Sequence, residues 1–140
     1  MIIVIDTNVL LPLFSAKAKL PEIARALLNG QIKWAVSQSI ISEYEEIVTD
    51  RSGNQRWTQV RRFLSLLSAV HDNVVWTAPA FQFHIVAGDP DDNKFSDCAI
   101  TADADYVITS DHHLDALANA GYKPQPITPE EFIRRHLSGA

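Results

Sequence analysis

The chain has 140 residues, of which 46% are hydrophobic and 21% charged, and its formal net charge is −5. This length and balance predict one soluble globular domain over residues 1–140 and exclude a disordered chain. No apolar run approaches the ~20 residues of a membrane span, no basic segment precedes Ile2 as in a secretory signal, and one cysteine, Cys98, excludes an intramolecular disulfide or a cysteine-based zinc cluster. We therefore expect a cytoplasmic protein without a membrane partner.

Short apolar runs alternate with helical patterns along the chain. The predicted strands are Ile2–Ile5, Lys33–Val36, Val74–Trp76, Tyr106–Thr109 and Pro126–Ile127. The predicted helices are Val9–Phe14, Leu20–Leu28, Ser39–Val48, Arg56–Val70, Asp91–Asp103, His113–Asn119 and a last one that Thr128, Pro129 and Glu131 open as a capping box. A polar break at Asp50–Asn54 separates the third and fourth helices. This alternation predicts an α/β fold with a mainly parallel central sheet.

Charge is divided unevenly between the two halves of the chain. Residues 1–70 carry eight Lys or Arg against six Asp or Glu, whereas residues 71–140 carry four against eleven. Seven of those eleven acids lie between Asp89 and Asp111. Such a cluster is either a solvated acidic surface or a cation site, because neighbouring carboxylates repel each other unless a metal ion lies between them. The negative net charge disfavours a basic nucleic-acid-binding patch, but it is compatible with a phosphodiesterase whose metal ions meet the phosphate.

Two acids follow predicted strands directly. Asp6 comes after Ile2–Ile5, and Asp111 follows Tyr106–Thr109 after Ser110. Because the carboxyl ends of parallel strands lie at one edge of a sheet, both side chains are expected at the same edge, where ligands bind in such folds. The alternative for each is a helix N-cap, a position that Asp favours.

Glu43 lies at the border of an apolar helix face. Helical spacing places it between Ile40 and Ile47, whereas Glu45 and Glu46 point to solvent. A carboxylate turned toward the core needs a partner, which is either a buried Lys or Arg or a metal ion. The alternative is a boundary side chain that reaches outward.

Asp92 and Asp97 belong to one predicted helix but lie about 140° apart around its axis. Asp92 is placed at the margin of the apolar face, and Asp97 is either exposed or a supporting acid behind the metal ligands. Asn8 either fixes the rotamer of a carboxylate or caps the helix that begins at Val9.

Four segments of the chain resemble the motifs of PIN-domain ribonucleases in order. They are Ile3–Leu10 (IVIDTNVL), Ser39–Tyr44 (SIISEY), Asp89–Ala99 (DPDDNKFSDCA) and Ala104–Leu114 (ADYVITSDHHL). The bacterial branch concerned contains toxins of toxin–antitoxin systems and is similar to the virulence-associated protein C toxins. The resemblance implies a three-layer α/β/α sandwich, Mg²⁺- or Mn²⁺-dependent endoribonuclease activity, a cognate antitoxin and, at family level, a homodimer.

The same resemblance implies the site residues. Asp6, Glu43, Asp92 and Asp111 match the four acids of the family as catalytic metal ligands. Asp92 precedes Asp111 by 19 residues and Asp97 precedes it by 14; the first spacing suits the family, so Asp97 is carried as an accessory residue with Asn8 and Ser110.

An RNA substrate needs positive charge near the site. The best candidates are Arg51, Arg56, Arg61 and Arg62, with Trp57 available for base stacking. The alternative is a solvated helix face with Trp57 in the core.

Two other functions remain open. A haloacid-dehalogenase-like phosphatase also has an Asp after its first strand, and Gly88-Asp89 with Asp92 imitates its late acidic motif, but this chain has Asn8 where that class has its second acid. A catalytically silent PIN-like module that binds RNA or protein is the other alternative. Rapid turnover of p-nitrophenyl phosphate with little RNA cleavage would favour the phosphatase, and metal-dependent nuclease assays distinguish the silent module.

Overall fold

A five-stranded, entirely parallel sheet forms the centre of the molecule. The computed structural model describes residues 1–13, 21–79, 83 and 93–137. The strands are β1 Ile2–Ile5, β2 Lys33–Ser37, β3 Val74–Thr77, β4 Tyr106–Ile108 and β5 Gln125–Ile127. Their order across the sheet is β3-β2-β1-β4-β5, and every neighbouring pair is parallel. The predicted α/β class is therefore confirmed.

Helices cover the sheet in a three-layer α/β/α arrangement. The α-helices are α1 Thr7–Leu13, α2 Pro21–Leu28, α3 Gln38–Ser52, α4 Asn54–Leu66, α5 Asn93–Thr101 and α6 Pro129–Phe132. A 3₁₀ helix spans His112–Asn119, and π-helical turns at Leu67–His71 and Ile133–Leu137 extend α4 and α6. No helix in the described parts of the chain is long and apolar enough to cross a membrane.

The central strand β1 is buried because it has helices on both faces and a strand on each side. Ile3, Val4 and Ile5 are fully buried, and β1 pairs with β2 and β4. Each such side chain stabilises the fold by about 1.5–3 kcal/mol. The unbroken apolar run that predicted this strand is the pattern of a sheet covered on both faces.

Two predicted helix boundaries are wrong. The predicted polar break at Asp50–Asn54 is only one residue long, because α3 continues to Ser52 and α4 starts at Asn54, which leaves Gly53 between them. Gly53 has φ +89°, a conformation that other residues adopt only with strain, so it separates the helices without help from its polar neighbours. The helix predicted to reach Asp103 ends at Thr101, and Asp103 has φ +55°. Its predicted start, Asp91 and Asp92, lies outside the described residues.

The capping box of the last helix forms only in part. Thr128 Oγ1 accepts a hydrogen bond from the Glu131 backbone N–H at 3.2 Å, and Pro129 occupies the first helical position, as predicted. The Glu131 carboxylate, however, pairs with Arg134 and Arg135 instead of reaching back to the cap. These guanidinium groups offer it charge-assisted hydrogen bonds, which are stronger than a bond to a backbone amide.

This ion-pair group gives a prediction for stability against pH. The hydrogen bonds from Arg134 and Arg135 lower the pKa of Glu131 from 4.5 to about 2. A carboxyl with a lowered folded-state pKa stabilises the fold above pH 4.5 and loses that contribution as the pH falls toward 2. We expect Glu131→Gln to be slightly less stable than wild type at neutral pH, with a difference that vanishes at low pH. Urea unfolding across this range measures it.

Glu130→Gln is the matched control, because Glu130 is an exposed acid in the same first turn. A Glu131→Gln deficit that stays constant from pH 7 to pH 2 would contradict the ion-pair explanation.

Candidate metal centre

Asp6 lies at the carboxyl end of β1, at the point where α1 begins. Its carbonyl accepts the first helical hydrogen bonds of α1, from Val9 and Leu10. The residue is only 3% exposed, and its carboxylate accepts a hydrogen bond from Thr109 Oγ1 at 2.7 Å. The parallel register places Ile5 beside Ile108, so the next residue of each strand, Asp6 and Thr109, meet at the edge of the sheet.

Thr109 also positions Asp111. Its hydroxyl accepts a hydrogen bond from the Asp111 backbone N–H at 2.9 Å. The Asp111 carboxylate in turn accepts the backbone N–H of His113 at 2.8 Å and caps the 3₁₀ helix. The N-cap alternative is therefore correct for Asp111, and the placement at the same sheet edge as Asp6 is correct as well.

Glu43 comes to this edge from α3, which starts directly after β2. Its side chain is 20% exposed, whereas Glu45 and Glu46 are exposed to solvent, so the helical spacing predicted the border position correctly. One carboxylate oxygen accepts a hydrogen bond from Thr7 Oγ1, and the other lies 3.0 Å from Lys94 Nζ. We predicted either a buried Lys or Arg or a metal ion as the partner of this carboxylate, and the structure shows a partly buried lysine.

The three carboxylates interact electrostatically. The pKa of Asp6 is raised above its ordinary value, mainly by burial and further by the negative charges of Asp111 and Glu43, while the hydrogen bond from Thr109 opposes the rise. A carboxylate in this environment gains from any positive charge placed beside it. β1, α3 and the end of β4 therefore bring three of the four predicted ligands to one edge of the sheet.

These donors fit a hard divalent cation. Carboxylate oxygens are the ligands that Mg²⁺ and Mn²⁺ prefer, and the repulsion that raises the pKa of Asp6 is the repulsion that such an ion removes. Within the described residues, no three His, Cys, Asp or Glu side chains are close enough to hold an ion as they stand. The fourth predicted ligand, Asp92, lies outside the described residues.

Two predicted accessory residues differ from expectation. Asp97 is buried, with 8% exposure, and accepts the Phe83 backbone N–H at 3.0 Å, so the exposed alternative is wrong. Asn8 does not cap a helix at Val9, because α1 begins at Thr7; its side chain is exposed. Ser110 is exposed and lines a cleft of about 110 Å³ beside Asp111.

The arginines predicted to contact RNA lie near the end of α3 and on α4. Arg51 is near the end of α3, about 12 Å along the helix from Glu43, and Arg56, Arg61 and Arg62 are on α4. Trp57 is half-buried against the core and lines a cleft of about 490 Å³ with Arg61 and Trp76. Trp57 is therefore neither fully buried in the core nor a freely exposed surface for base stacking, but lies between these two alternatives.

Four residues at the site were missed by sequence reasoning. Thr7 and Thr109 hold the carboxylates, and Lys94 pairs with Glu43. Tyr44 is fully buried behind them and donates its hydroxyl to the Ile5 carbonyl, and burial raises its pKa well above the usual value. All four lie within the resembling motifs: Thr7 and Tyr44 directly follow a predicted ligand, and Lys94 and Thr109 are two residues from one. That closeness in the sequence was the available signal.

Comparison with known protein families identifies the family of this chain. A family model described as PIN domain matches residues 2–113, which include Asp6, Glu43 and Asp111. The chain belongs to the PIN domain family. PIN domains are generally nucleases, and the predicted resemblance is confirmed.

A solved structure shares the fold of this PIN domain. It is the crystal structure of VapBC2 from Rickettsia felis bound to a DNA fragment from their promoter, and one of its chains matches with a TM-score of 0.60. The match covers 90% of this chain and 98% of that chain at 15% identity, so what it establishes is the common fold. A search of curated proteins finds no match.

Proposed function

We propose that this PIN domain is a metal-dependent endoribonuclease that hydrolyses RNA phosphodiester bonds and is the toxin of a toxin–antitoxin pair. The observation that carries the proposal is the meeting of Asp6, Glu43 and Asp111 at the carboxyl edge of a parallel sheet, where Asp6 is buried beside two other negative charges. Membership of the PIN domain family supports a nuclease over a haloacid-dehalogenase-like phosphatase.

Asp6, Glu43, Asp92 and Asp111 would hold Mg²⁺ or Mn²⁺. When bound, such an ion lowers the pKa of water for in-line attack on phosphorus and offsets charge on the phosphate. The protein's own contribution is to fix the carboxylates: the Thr109 hydroxyl links Asp6 to the Asp111 backbone, and the Thr7 hydroxyl orients Glu43. Donors that are already oriented need little rearrangement when charge develops in the transition state.

Thr109 links two of the predicted ligand positions through hydrogen bonds. The Thr109 hydroxyl donates a hydrogen bond to the Asp6 carboxylate and accepts one from the backbone N–H of Asp111. We therefore assign Thr109 a positioning role, and we keep Asn8, Asp97 and Ser110 as the accessory residues around the site. Arg51, Arg56, Arg61 and Arg62 stay the predicted RNA contacts.

The structural relative motivates the inference of an antitoxin partner. That relative is VapBC2 bound to a DNA fragment from their promoter, and a toxin of this kind needs a protein that restrains it. We infer a cognate antitoxin as the protein partner, with RNA as the substrate and the cytoplasm as the place of action. A homodimer stays a prediction.

The deciding experiment measures RNA cleavage by the purified chain with Mg²⁺, Mn²⁺ or EDTA, with p-nitrophenyl phosphate as a second substrate. We expect RNA cleavage with either ion and none with EDTA. Rapid turnover of p-nitrophenyl phosphate with intact RNA would support the phosphatase. RNA or protein binding without cleavage under any metal would support the silent module.

A comparison among the three neighbouring glutamates tests the role of Glu43. Glu43→Gln is expected to lose most activity, because it removes a charge at the sheet edge while keeping an acceptor for Thr7. Glu45→Gln and Glu46→Gln are the matched controls, since these side chains are exposed on the same helix. Initial rates of RNA cleavage measure the difference, and equal losses in all three variants would show that Glu43 has no special role.

A further inference from the structure

Lys94 forms an ion pair with Glu43, one of the predicted metal ligands. It is the second residue of α5, and its Nζ lies 3.0 Å from Glu43 Oε1, with side-chain exposures of 23% for Lys94 and 20% for Glu43. Asp111 has a different neighbour, since its Oδ1 lies 3.4 Å from His113 Nδ1. The lysine therefore provides a counter-charge at Glu43, within this group of carboxylates.

A divalent cation and this ammonium group compete for the same carboxylate. Both carry positive charge, and Glu43 already gives its second oxygen to Thr7. A cation bound by Glu43 would repel an ammonium group at such short range, since the side chains are partly shielded from water. Lys94 then has to leave Oε1, and its flexible four-carbon stem allows the charge to move several ångströms without a change in the backbone.

An open cleft adjoins Lys94. It has a volume of about 510 Å³ between α3 and α5, and polar side chains line most of it together with Lys94. The polar lining residues are Gln38, Ser39, Ser42, Glu43 and Glu46. The amide and hydroxyl groups offer hydrogen bonds to an anion, and a lysine ammonium is a common point-charge ligand of phosphate.

We propose that Lys94 is a substrate-binding residue that is held by Glu43 in the metal-free protein and turns to an RNA backbone phosphate when a divalent cation takes the carboxylate. This inference rests on the proposed function. It explains why a site built from acids keeps a lysine among them: the same charge stabilises the empty carboxylates and later binds the anionic substrate. The ion and the substrate therefore bind with positive cooperativity, because the ion releases the lysine that the substrate uses.

Two measurements on Lys94→Met test the proposal. Titration of the protein alone with Mn²⁺, followed by the electron paramagnetic resonance signal of the free ion, should give a dissociation constant about two- to fivefold lower than that of wild type, because a competing charge is gone. RNA cleavage should show a KM about tenfold higher with a smaller change in kcat, because a charge-assisted contact to substrate is lost. Lys94→Arg keeps the charge and should restore KM to near the wild-type value.

Lys123→Met is the matched control, since Lys123 pairs with Asp103 and Asp105, which precede β4 at the opposite edge of the sheet. Lys123→Met should change neither the dissociation constant for Mn²⁺ nor the KM for RNA. Unchanged or weaker Mn²⁺ binding by a folded Lys94→Met, or an unchanged KM, would overturn the proposal while leaving the nuclease assignment in place. Failure of the wild-type protein to bind Mn²⁺ would overturn the nuclease assignment together with this inference.

Discussion

Asp6→Asn is expected to abolish metal-dependent RNA cleavage and to leave the metal-free protein at least as stable as wild type. The buried carboxylate is the predicted ligand nearest the centre of the sheet edge, and losing its charge weakens any cation site there. Asn can still accept the hydrogen bond from Thr109, so the fold keeps this contact. Cleavage rates with Mn²⁺ and urea unfolding with EDTA measure the two effects.

The stability effect has a definite sign. Burial and the charges of Asp111 and Glu43 raise the pKa of Asp6 above 3.8. A carboxyl with a raised folded-state pKa stabilises the fold below the unfolded-state pKa, and that contribution is lost as the pH rises through the folded-state pKa. Above that pH range the metal-free wild type has lost this contribution, and Asp6→Asn lacks the negative charge that burial and the neighbouring acids disfavour. Added Mn²⁺ should stabilise wild type and not the variant.

Asp103→Asn is the matched control for Asp6→Asn. Asp103 is an exposed acid with φ +55°, a conformation that Asn tolerates, and it makes its ion pair with Lys123 away from the site. The control should keep full activity and its response to Mn²⁺. Normal RNA cleavage by Asp6→Asn would remove the basis of the metal-dependent nuclease assignment.

Local patterns were sufficient to predict the parts of the site that depend on one element. The position of Glu43 follows from the spacing of apolar residues along α3, and the common edge of Asp6 and Asp111 follows from the direction of parallel strands. Neither inference requires knowledge of which element packs against which. The four motifs in order then predicted the family.

Contacts between distant residues could not be predicted in this way. The hydrogen bond of Thr109 to Asp6 joins residues 103 positions apart, and the Lys94 pair with Glu43 joins residues 51 apart. Both depend on the strand register and on where α5 packs, which no local pattern specifies. The hydrophobic spacing of α5 also misjudged Asp97, because five consecutive residues from Phe95 to Ala99 are buried and the helix therefore has no exposed face at that point.

The buried position of Asp97 sharpens the choice between the two acids of the third motif. We expect Asp92→Asn to reduce RNA cleavage by orders of magnitude, because a metal ligand needs its charge. Asp97→Asn should keep most activity, because the amide oxygen can still accept the Phe83 N–H that Asp97 binds at 3.0 Å. Asp97→Ala leaves that N–H without its acceptor, and we expect a loss of about 10–100-fold in rate together with about 1–3 kcal/mol of stability.

Steady-state cleavage rates and urea unfolding of the three variants separate a charge requirement from an acceptor requirement. A ligand loses its function when its charge is removed, whereas a side chain that holds a backbone N–H loses it only when the acceptor is removed. If Asp97→Asn is as inactive as Asp92→Asn, Asp97 acts through its charge and the assignment of an accessory role is wrong. A crystal structure soaked with Mn²⁺ that shows the ion on Asp97 and not on Asp92 would exchange the roles of the two acids.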